Sequence, residues 1–281
     1  MVERTIHTGR LELAFKESGN PDGIPVIELH GWLDNANSFD RMNASLDPDR
    51  LRTIALDLPG HGFSEHRSKS ENYHLLEYVL DVEAFARAMG LKKIFVVGHS
   101  LGGVIGSLWA SACPERVSGL VMIDAIGPIS SKEEESAQQL GSAIQKILTP
   151  SRPLTVFPSR DEAIAARKMG MGNLTEESIS VLLERGLKKV PGGYVWASDP
   201  RLRHLSLMRL SEIQVRAFLG AIQCRVLGLF AQGSALAANH RFTERLSVIP
   251  DFRYEILEGG HHLHLQECPA AIGSRVNQFI Q

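Results

Sequence analysis

The 281-residue sequence lacks several features that would assign it to a specialised class. Its three cysteines (Cys113, Cys224 and Cys268) are far apart and form no C-x-x-C pair. Neither a disulfide framework nor a structural zinc site is therefore expected. The formal net charge of −2 creates no field that would attract nucleic acid or an anionic membrane. No apolar run approaches the roughly 18 residues that would suggest a membrane span.

The composition fits an ordinary globular protein. Hydrophobic residues make up 43% and charged residues 22%, a balance that allows a sizeable core. The opening MVERTIHTGRLELAF has no apolar segment after a basic one, so a signal peptide is not expected. With few cysteines as well, the sequence predicts a cytoplasmic protein.

Strand patterns recur along the chain, and helical patterns separate most of them. Residues 10–19 alternate apolar and polar side chains, as a half-exposed strand does. Near-continuous apolar runs, typical of strands covered on both faces, follow at PVIEL (25–29), RTIALD (52–57), KIFVV (93–97), SGLVMID (118–124), RVLGLFA (225–231) and FRYEIL (252–257). This alternation predicts an α/β fold with a doubly wound, mostly parallel sheet.

The alternation breaks between Gly127 and about Ser211, where charged, helix-forming stretches contain no buried strand pattern. The segment is too long for an ordinary loop. We predict a core made of residues 1–127 and 212–281, with a helical cap inserted at 128–211 after the sixth strand. Such insertions often act as lids that shape a pocket.

One short stretch carries the strongest chemical signal. In KKIFVVGHSLGGVIGS, Ser100 stands between a strand pattern and a helix pattern, flanked by Gly98 and Gly102. A G-x-S-x-G in this setting is the nucleophile elbow, whose strained turn lifts the serine hydroxyl above the sheet. Ser100 is the predicted nucleophile.

A serine hydroxyl needs a base, and the base in turn needs an orienting carboxylate. The chain order of an elbow places the base near the C-terminus, where EGGHHLHLQECP contains His261, His262 and His264. The residues alone do not choose between His261 and His262. A metal site is the other interpretation of this run, but no neighbouring Asp or Cys completes a ligand set at a sensible spacing, so no metal or cofactor is predicted.

The sequence resembles the α/β-hydrolase family along its whole length. HGW (30–32) resembles its oxyanion motif, DLPGHGFS (57–64) its D-x-P-G-x-G-x-S loop, and GHSLGG its elbow. HGWLDNANSFD, GGYVWASDPRLR and GGHHLHLQ together resemble the serine hydrolase-like branch. The resemblance implies that His262 is the base, because Glu267 and Pro269 match a segment at a fixed distance after it.

The resemblance also implies the remaining parts of the site. Many relatives carry the acid after the seventh strand, but residues 231–243 contain no carboxylate here. The alternative position, the end of the sixth strand, gives Asp124, with Glu258 as a weaker candidate. The backbone amides of Trp32 and Leu101 are the expected oxyanion hole. Five residues are candidates for lining the substrate pocket, and they are Trp32, His99, Tyr194, Trp196 and Met208.

The predicted activity is that of a cofactor-free serine hydrolase of the carboxylesterase type. It would cleave an ester-like bond of a small, largely apolar substrate through an acyl-enzyme on Ser100. Hydrolysis of a carbon–carbon bond, or perhydrolysis, by the same triad is an alternative, because the triad does not fix the chemistry. A ligand-binding receptor with little turnover is another. The predicted partner is a small molecule, with no role for nucleic acid or a membrane.

Overall fold

A computed structural model describes residues 1–149, 153–170, 173–234, 236 and 241–281. Extended backbone forms where the apolar runs predict it. It is largely buried in five of the six runs, but the side chains of residues 253–256 in FRYEIL are exposed, because that strand lies at an edge of the sheet. The strands are β1 (Val2–His7), β2 (Glu12–Gly19), β3 (Ile24–Leu29), β4 (Leu51–Leu56), β5 (Ile94–His99), β6 (Val117–Ile123), β7 (Leu187–Val190), β8 (Gly193–Trp196), β9 (Arg225–Ala231) and β10 (Phe252–Leu257).

Eight of these strands form one sheet in the order β1-β2-β4-β3-β5-β6-β9-β10. β1 and β2 pair antiparallel, as do β2 and β4, and the remaining neighbours are parallel. The predicted doubly wound, mostly parallel sheet is confirmed. β1 was not predicted, because it is an edge strand whose mostly exposed side chains leave no buried pattern.

Helices cover both faces of the sheet, as the buried strands require. In chain order they are α1 (Asp40–Asn43), α2 (Leu75–Ala88), α3 (Leu101–Ala112), α4 (Ser136–Leu148), α5 (Arg160–Lys168), α6 (Glu176–Gly186), α7 (Glu212–Gly220), α8 (Arg241–Leu246) and α9 (Pro269–Phe279). α2, α3 and α7 pack together on one face, where Trp109 and Phe85 are fully buried. α1 and α9 pack on the other face, around Phe39 and Met42.

The predicted insertion, residues 128–211, contains α4, α5 and α6 between β6 and α7. It also contains the β7–β8 hairpin, which the helical prediction missed. The hairpin strands are short and only partly buried, so they lack the apolar signature of the core strands. Their turn depends on Gly192 and Gly193, both at positive φ. The domain boundaries at 127 and 212 stay a prediction.

Buried polar contacts fasten the insertion to the core. Arg185 of α6 is almost fully buried, and its Nη2 donates to Asp57 Oδ2 at 2.6 Å. Asn35 donates to the carbonyl of Leu182 at 2.8 Å. These contacts fix the insertion over the loops that follow β3 and β4. Among the described residues, no helix is both long enough and apolar enough to cross a membrane.

Glu28 gives the core a pH dependence. Its side chain is fully buried on β3, where Asn43 Nδ2 donates to Oε2 at 2.8 Å. Burial is the main cause that raises the pKa of Glu28 from 4.5 to about 8; the nearby Asp40 acts in the same direction, while the hydrogen bond from Asn43 and the charge of Lys16 oppose it. The folded protein therefore holds a proton that the unfolded chain releases. The stability that this proton contributes is complete below pH 4.5 and is lost as the pH rises through about 8.

We expect the free energy of unfolding to fall with rising pH more steeply in the wild type than in Glu28→Gln, because glutamine keeps the shape but does not titrate. The difference in slope is at most about 1.4 kcal/mol per pH unit between about pH 5 and pH 8. Urea unfolding of both proteins across this range measures it, and the other titrating groups cancel in the comparison. Parallel pH profiles for the two proteins would contradict the expectation.

Candidate active site

Ser100 lies in the sharp turn between β5 and α3, with φ 49° and ψ −113°. Glycine on both sides makes this turn sterically feasible. A Cβ on Gly98 would lie 2.4 Å from the backbone of Gly102, and a Cβ on Gly102 would lie 1.8 Å from the carbonyl oxygen of Leu29. The Ser100 amide donates to the carbonyl of Ile123 at 3.0 Å, which ties the turn to the end of β6.

Asp124 follows β6 directly and also has a positive φ, of 46°. Its side chain is fully buried, and Oδ1 accepts a hydrogen bond from the amide of Ala231 at 3.1 Å. The other oxygen, Oδ2, lies 2.5 Å from Nδ1 of His261. Because a carboxylate only accepts, the proton of this pair is on Nδ1, and Nε2 of His261 is left as the acceptor.

The predicted pairing of Asp124 with His262 is wrong, because His261 makes this contact. The His262 ring turns to a different carboxylate, with Nε2 lying 3.2 Å from Asp34 Oδ2. The two rings are nearly perpendicular, at 84°, since neighbouring residues of a tight turn point in different directions. The spacing of the histidines from Glu267 and Pro269 predicts where their loop lies, but it does not predict the direction in which each imidazole ring points. His261 is 41% exposed, whereas His262 is buried.

His99, a predicted pocket residue, contacts the histidine loop, the turn that carries His261, His262 and His264. It is fully buried, and its Nε2–H donates to the backbone carbonyl of His261 at 2.9 Å. Burial, reinforced by His264, His262 and His261, holds the pKa of His99 well below its ordinary value. Burial likewise lowers the pKa of His264 to about 3. These two rings are therefore neutral supports of the loop that carries His261.

Asp34 joins the histidine loop to the insertion, a role that sequence reasoning missed. Its Oδ1 accepts a hydrogen bond from Arg167 of α5 at 2.8 Å, and its Oδ2 faces His262. Burial alone would raise the pKa of Asp34, but His262, Arg167 and His99 outweigh it and hold the pKa well below the ordinary value. The carboxylate is therefore charged and paired. The only sequence signal was its place in the HGWLDN motif.

Asp34, His99 and His262 are also the residues that could hold a metal ion, since one donor atom from each lies within 4.8 Å of the others. The contacts already described disfavour it. Arg167 occupies one oxygen of Asp34 and His262 the other. A cation there would have to displace a guanidinium and a ring proton. The absence of a metal cofactor stays a prediction.

Of the two expected oxyanion residues, Leu101 directly follows Ser100, and Trp32 lies in the loop after β3, the strand that neighbours β5. Within the described residues, neither the Trp32 nor the Leu101 amide donates a hydrogen bond to the protein. The loop that carries Trp32 is held by His30, whose Nδ1–H donates to the carbonyl of Gly31 at 2.7 Å. His30 Nε2 in turn accepts from the amide of Leu58 at 3.0 Å. Leu33, which follows Trp32, has φ 63°.

A cavity of about 230 Å³ lies between the core and the insertion, beside this loop. Of the five predicted pocket residues, Trp196 lines it. His99, Tyr194 and Met208 are not in its wall. His99 is fully buried, and Met208 is 77% exposed. The Trp32 indole is turned to the insertion, where it donates to the carbonyl of Leu202 at 3.0 Å. The cavity wall instead contains Asp34, Arg167 and Arg203.

Comparisons with known proteins agree with this architecture. Residues 24–267 match the family described as alpha/beta hydrolase fold. The chain is 30% identical to serine hydrolase-like protein 2 of Homo sapiens, covering 96% of this chain and 90% of that protein. It is also 30% identical to a probable serine hydrolase of Drosophila melanogaster, covering 94% and 82%. Among solved structures, a hypothetical protein from Pseudomonas aeruginosa PAO1 superposes with a TM-score of 0.93 at 37% identity, covering 100% and 98%.

The chain belongs to the α/β-hydrolase fold family and, within it, to the serine hydrolase-like proteins. The resemblance found in the sequence is therefore confirmed. The family and these relatives support a hydrolase.

The glycine requirement of the elbow can be tested by stability. We expect Gly102→Ala to lower the free energy of unfolding by at least about 3 kcal/mol or to prevent folding, because the added Cβ meets backbone that cannot move aside. Gly141→Ala is the control, since its Cβ has nothing within 4 Å and it lies in α4. There alanine is expected to stabilise by up to about 1 kcal/mol. Urea unfolding measures both, and a Gly102→Ala protein as stable as the wild type would contradict this geometry.

Proposed function

We propose that this protein is a serine hydrolase that cleaves an ester-like acyl bond through an acyl-enzyme on Ser100. His261 is the base, and Asp124 orients it. The observation that carries the proposal is the 2.5 Å contact between Asp124 Oδ2 and His261 Nδ1, beside a serine held at positive φ. Ser100 and Asp124 stand at the ends of neighbouring parallel strands, β5 and β6.

Backbone strain is concentrated at this place. Among the described residues, the non-glycine residues with positive φ are Leu33, Ser100 and Asp124. Each such conformation costs about 1–3 kcal/mol and persists where the surrounding structure enforces it, commonly at active sites. All three follow the carboxyl ends of β3, β5 and β6. In open α/β sheets this edge is where ligands bind.

The reaction follows from the position of the protons. His261 Nε2 takes the proton of the Ser100 hydroxyl as the oxygen attacks the substrate carbonyl. The amides of Trp32 and Leu101 stabilise the oxyanion, and the N-terminus of α3 adds a favourable dipole. The imidazolium, stabilised by Asp124, then protonates the leaving group. Water hydrolyses the acyl-enzyme with His261 again as the base.

A fluorophosphonate probe tests the nucleophile and the base together. We expect the wild type to be labelled on Ser100 and Ser100→Ala to remain unlabelled. His261→Gln should react about 10⁴-fold more slowly, because the base is lost. His262→Gln is the matched control, since glutamine keeps an N–H donor for Asp34, and it should lose less than about tenfold. Mass spectrometry of the labelled peptide measures both rates.

Thermal unfolding of each variant separates chemistry from folding. Lack of labelling of a folded wild type would overturn the proposal and favour a ligand-binding protein. If only His262→Gln reacts more slowly with the probe, His262 and not His261 is the base. Labelling without hydrolysis of p-nitrophenyl esters, but with cleavage of a β-diketone, would assign carbon–carbon chemistry instead.

A further inference from the structure

The charges of the cavity do not cancel. Arg167 is neutralised by Asp34, with Nη2 and Oδ1 2.8 Å apart. The guanidinium of Arg203, in the same wall, has no carboxylate partner and donates no hydrogen bond among the described residues. Its neighbours are the Trp32 ring, whose centroid lies 5.9 Å from the guanidinium carbon, and Arg167. The wall therefore carries one positive charge without a counter-charge.

This charge is held in place by the fold. Arg203 ends a short 3-10 helix, Pro200–Arg203, that begins at the capping side chain of Asp199. Arg201 Nη2 donates to Asp199 Oδ2 at 2.6 Å, and the amide of Asp199 donates to the carbonyl of Gly60 at 2.8 Å. The carbonyl of Leu202 accepts the bond from Trp32. The backbone that leads to Arg203 is thus fixed to the core.

Arg203 is exposed, so its guanidinium is open to a ligand that enters the cavity. The partial burial of Arg203 and the like charge of Arg167 lower its pKa. A guanidinium forms strong, two-pronged hydrogen bonds with carboxylates and related oxyanions. A bound anion would supply the missing counter-charge.

The cavity is close to the proposed chemistry. Leu33 and Asp34, in its wall, directly follow Trp32, the proposed oxyanion residue. Arg203 contacts the ring of that same tryptophan. Asp34 meets His262, whose ring centroid is 5.1 Å from that of His261. Neither Ser100 nor His261 is in the cavity wall, so a molecule bound at Arg203 would have to extend past Trp32 to reach Ser100.

We propose that Arg203 binds an oxyanion group, such as a carboxylate, sulfate or phosphate, on the substrate. This inference rests on the proposed function, because the bound molecule is a substrate only if the protein is a hydrolase. It replaces the expectation that the substrate is largely apolar. The apolar part of the wall, Leu33, Leu182, Leu183 and Trp196, would hold the chain that joins the anion to the reacting carbonyl.

The test compares p-nitrophenyl esters whose acyl chains have equal length and end in a carboxylate, a sulfonate, a phosphonate or the neutral, isosteric isopropyl group. A second set carries the same groups on the alcohol side with a constant acyl group. We expect an anionic ester to have the higher kcat/KM in the wild type. Arg203→Met, which keeps the length and the contact with Trp32, should reduce that preference by about 10- to 100-fold. Arg203→Lys should restore part of it.

Arg209→Met is the matched control, because Arg209, like Arg203, is an exposed arginine of the insertion but is not in the cavity wall. It should leave both the activity and the preference unchanged. The anionic ester with the highest kcat/KM shows whether the site prefers a carboxylate, a sulfonate or a phosphonate. Equal kcat/KM for all groups, or the same preference in Arg203→Met as in the wild type, would overturn the proposal.

Calorimetry on Ser100→Ala keeps this test independent of turnover. The favoured anionic ester should bind it about 10- to 100-fold more tightly than Ser100→Ala carrying Arg203→Met. If no ester is hydrolysed but this difference appears, the anion site stands and the proposed reaction fails. If esters are hydrolysed and the difference is absent, the anion site fails and the reaction stands.

Discussion

The close contact of α3 with the carboxyl ends of β3 and β5 is the constraint on which the rest of the site depends. Only hydrogen fits where Gly102 meets the backbone of Leu29, and Gly98 faces Gly102 at similar range. The chain can make this contact only by turning sharply at Ser100, which accounts for the positive φ there. The amide of Ser100 in this turn donates a hydrogen bond to the carbonyl of Ile123, the residue before Asp124. The packing of α3 against β3 and β5 therefore positions Ser100 next to the end of the strand that precedes Asp124.

The insertion depends on the core through a different kind of contact. Arg185 pairs with Asp57, Arg167 with Asp34, and Trp32 with the carbonyl of Leu202. All three core partners lie in loops that follow β3 and β4. Breaking a buried ion pair by removing one partner typically costs about 3–5 kcal/mol. The core therefore supplies the proposed chemistry, while the insertion supplies much of the wall of the cavity beside it.

Much of this could be predicted from the sequence, and the omissions have physical reasons. Apolar runs in the sequence predict buried parallel strands. The glycines on either side of Ser100, which no other residue can replace, predict the elbow. β1 and the β7–β8 hairpin were missed because their side chains are partly or fully exposed. Residues 235 and 237–240 of the stretch that lacks a carboxylate lie outside the described residues.

The details of the site were harder, because they depend on side-chain direction. Asp124 was placed correctly at the end of β6, since strand order fixes its position. His261 and His262 differ by one residue, and only the path of the turn decides which ring meets Asp124. Arg167 and Arg203 come from distant parts of the insertion, so nothing in the sequence indicated that they share a cavity.

The most direct measurement is a crystal structure of the fluorophosphonate adduct. The account predicts phosphorus bonded to Ser100 Oγ, one phosphoryl oxygen within about 3 Å of the Trp32 and Leu101 amides, and His261 Nε2 facing the serine oxygen. An adduct in which the His262 ring faces that oxygen, with Asp124 remote from it, would contradict the central claim.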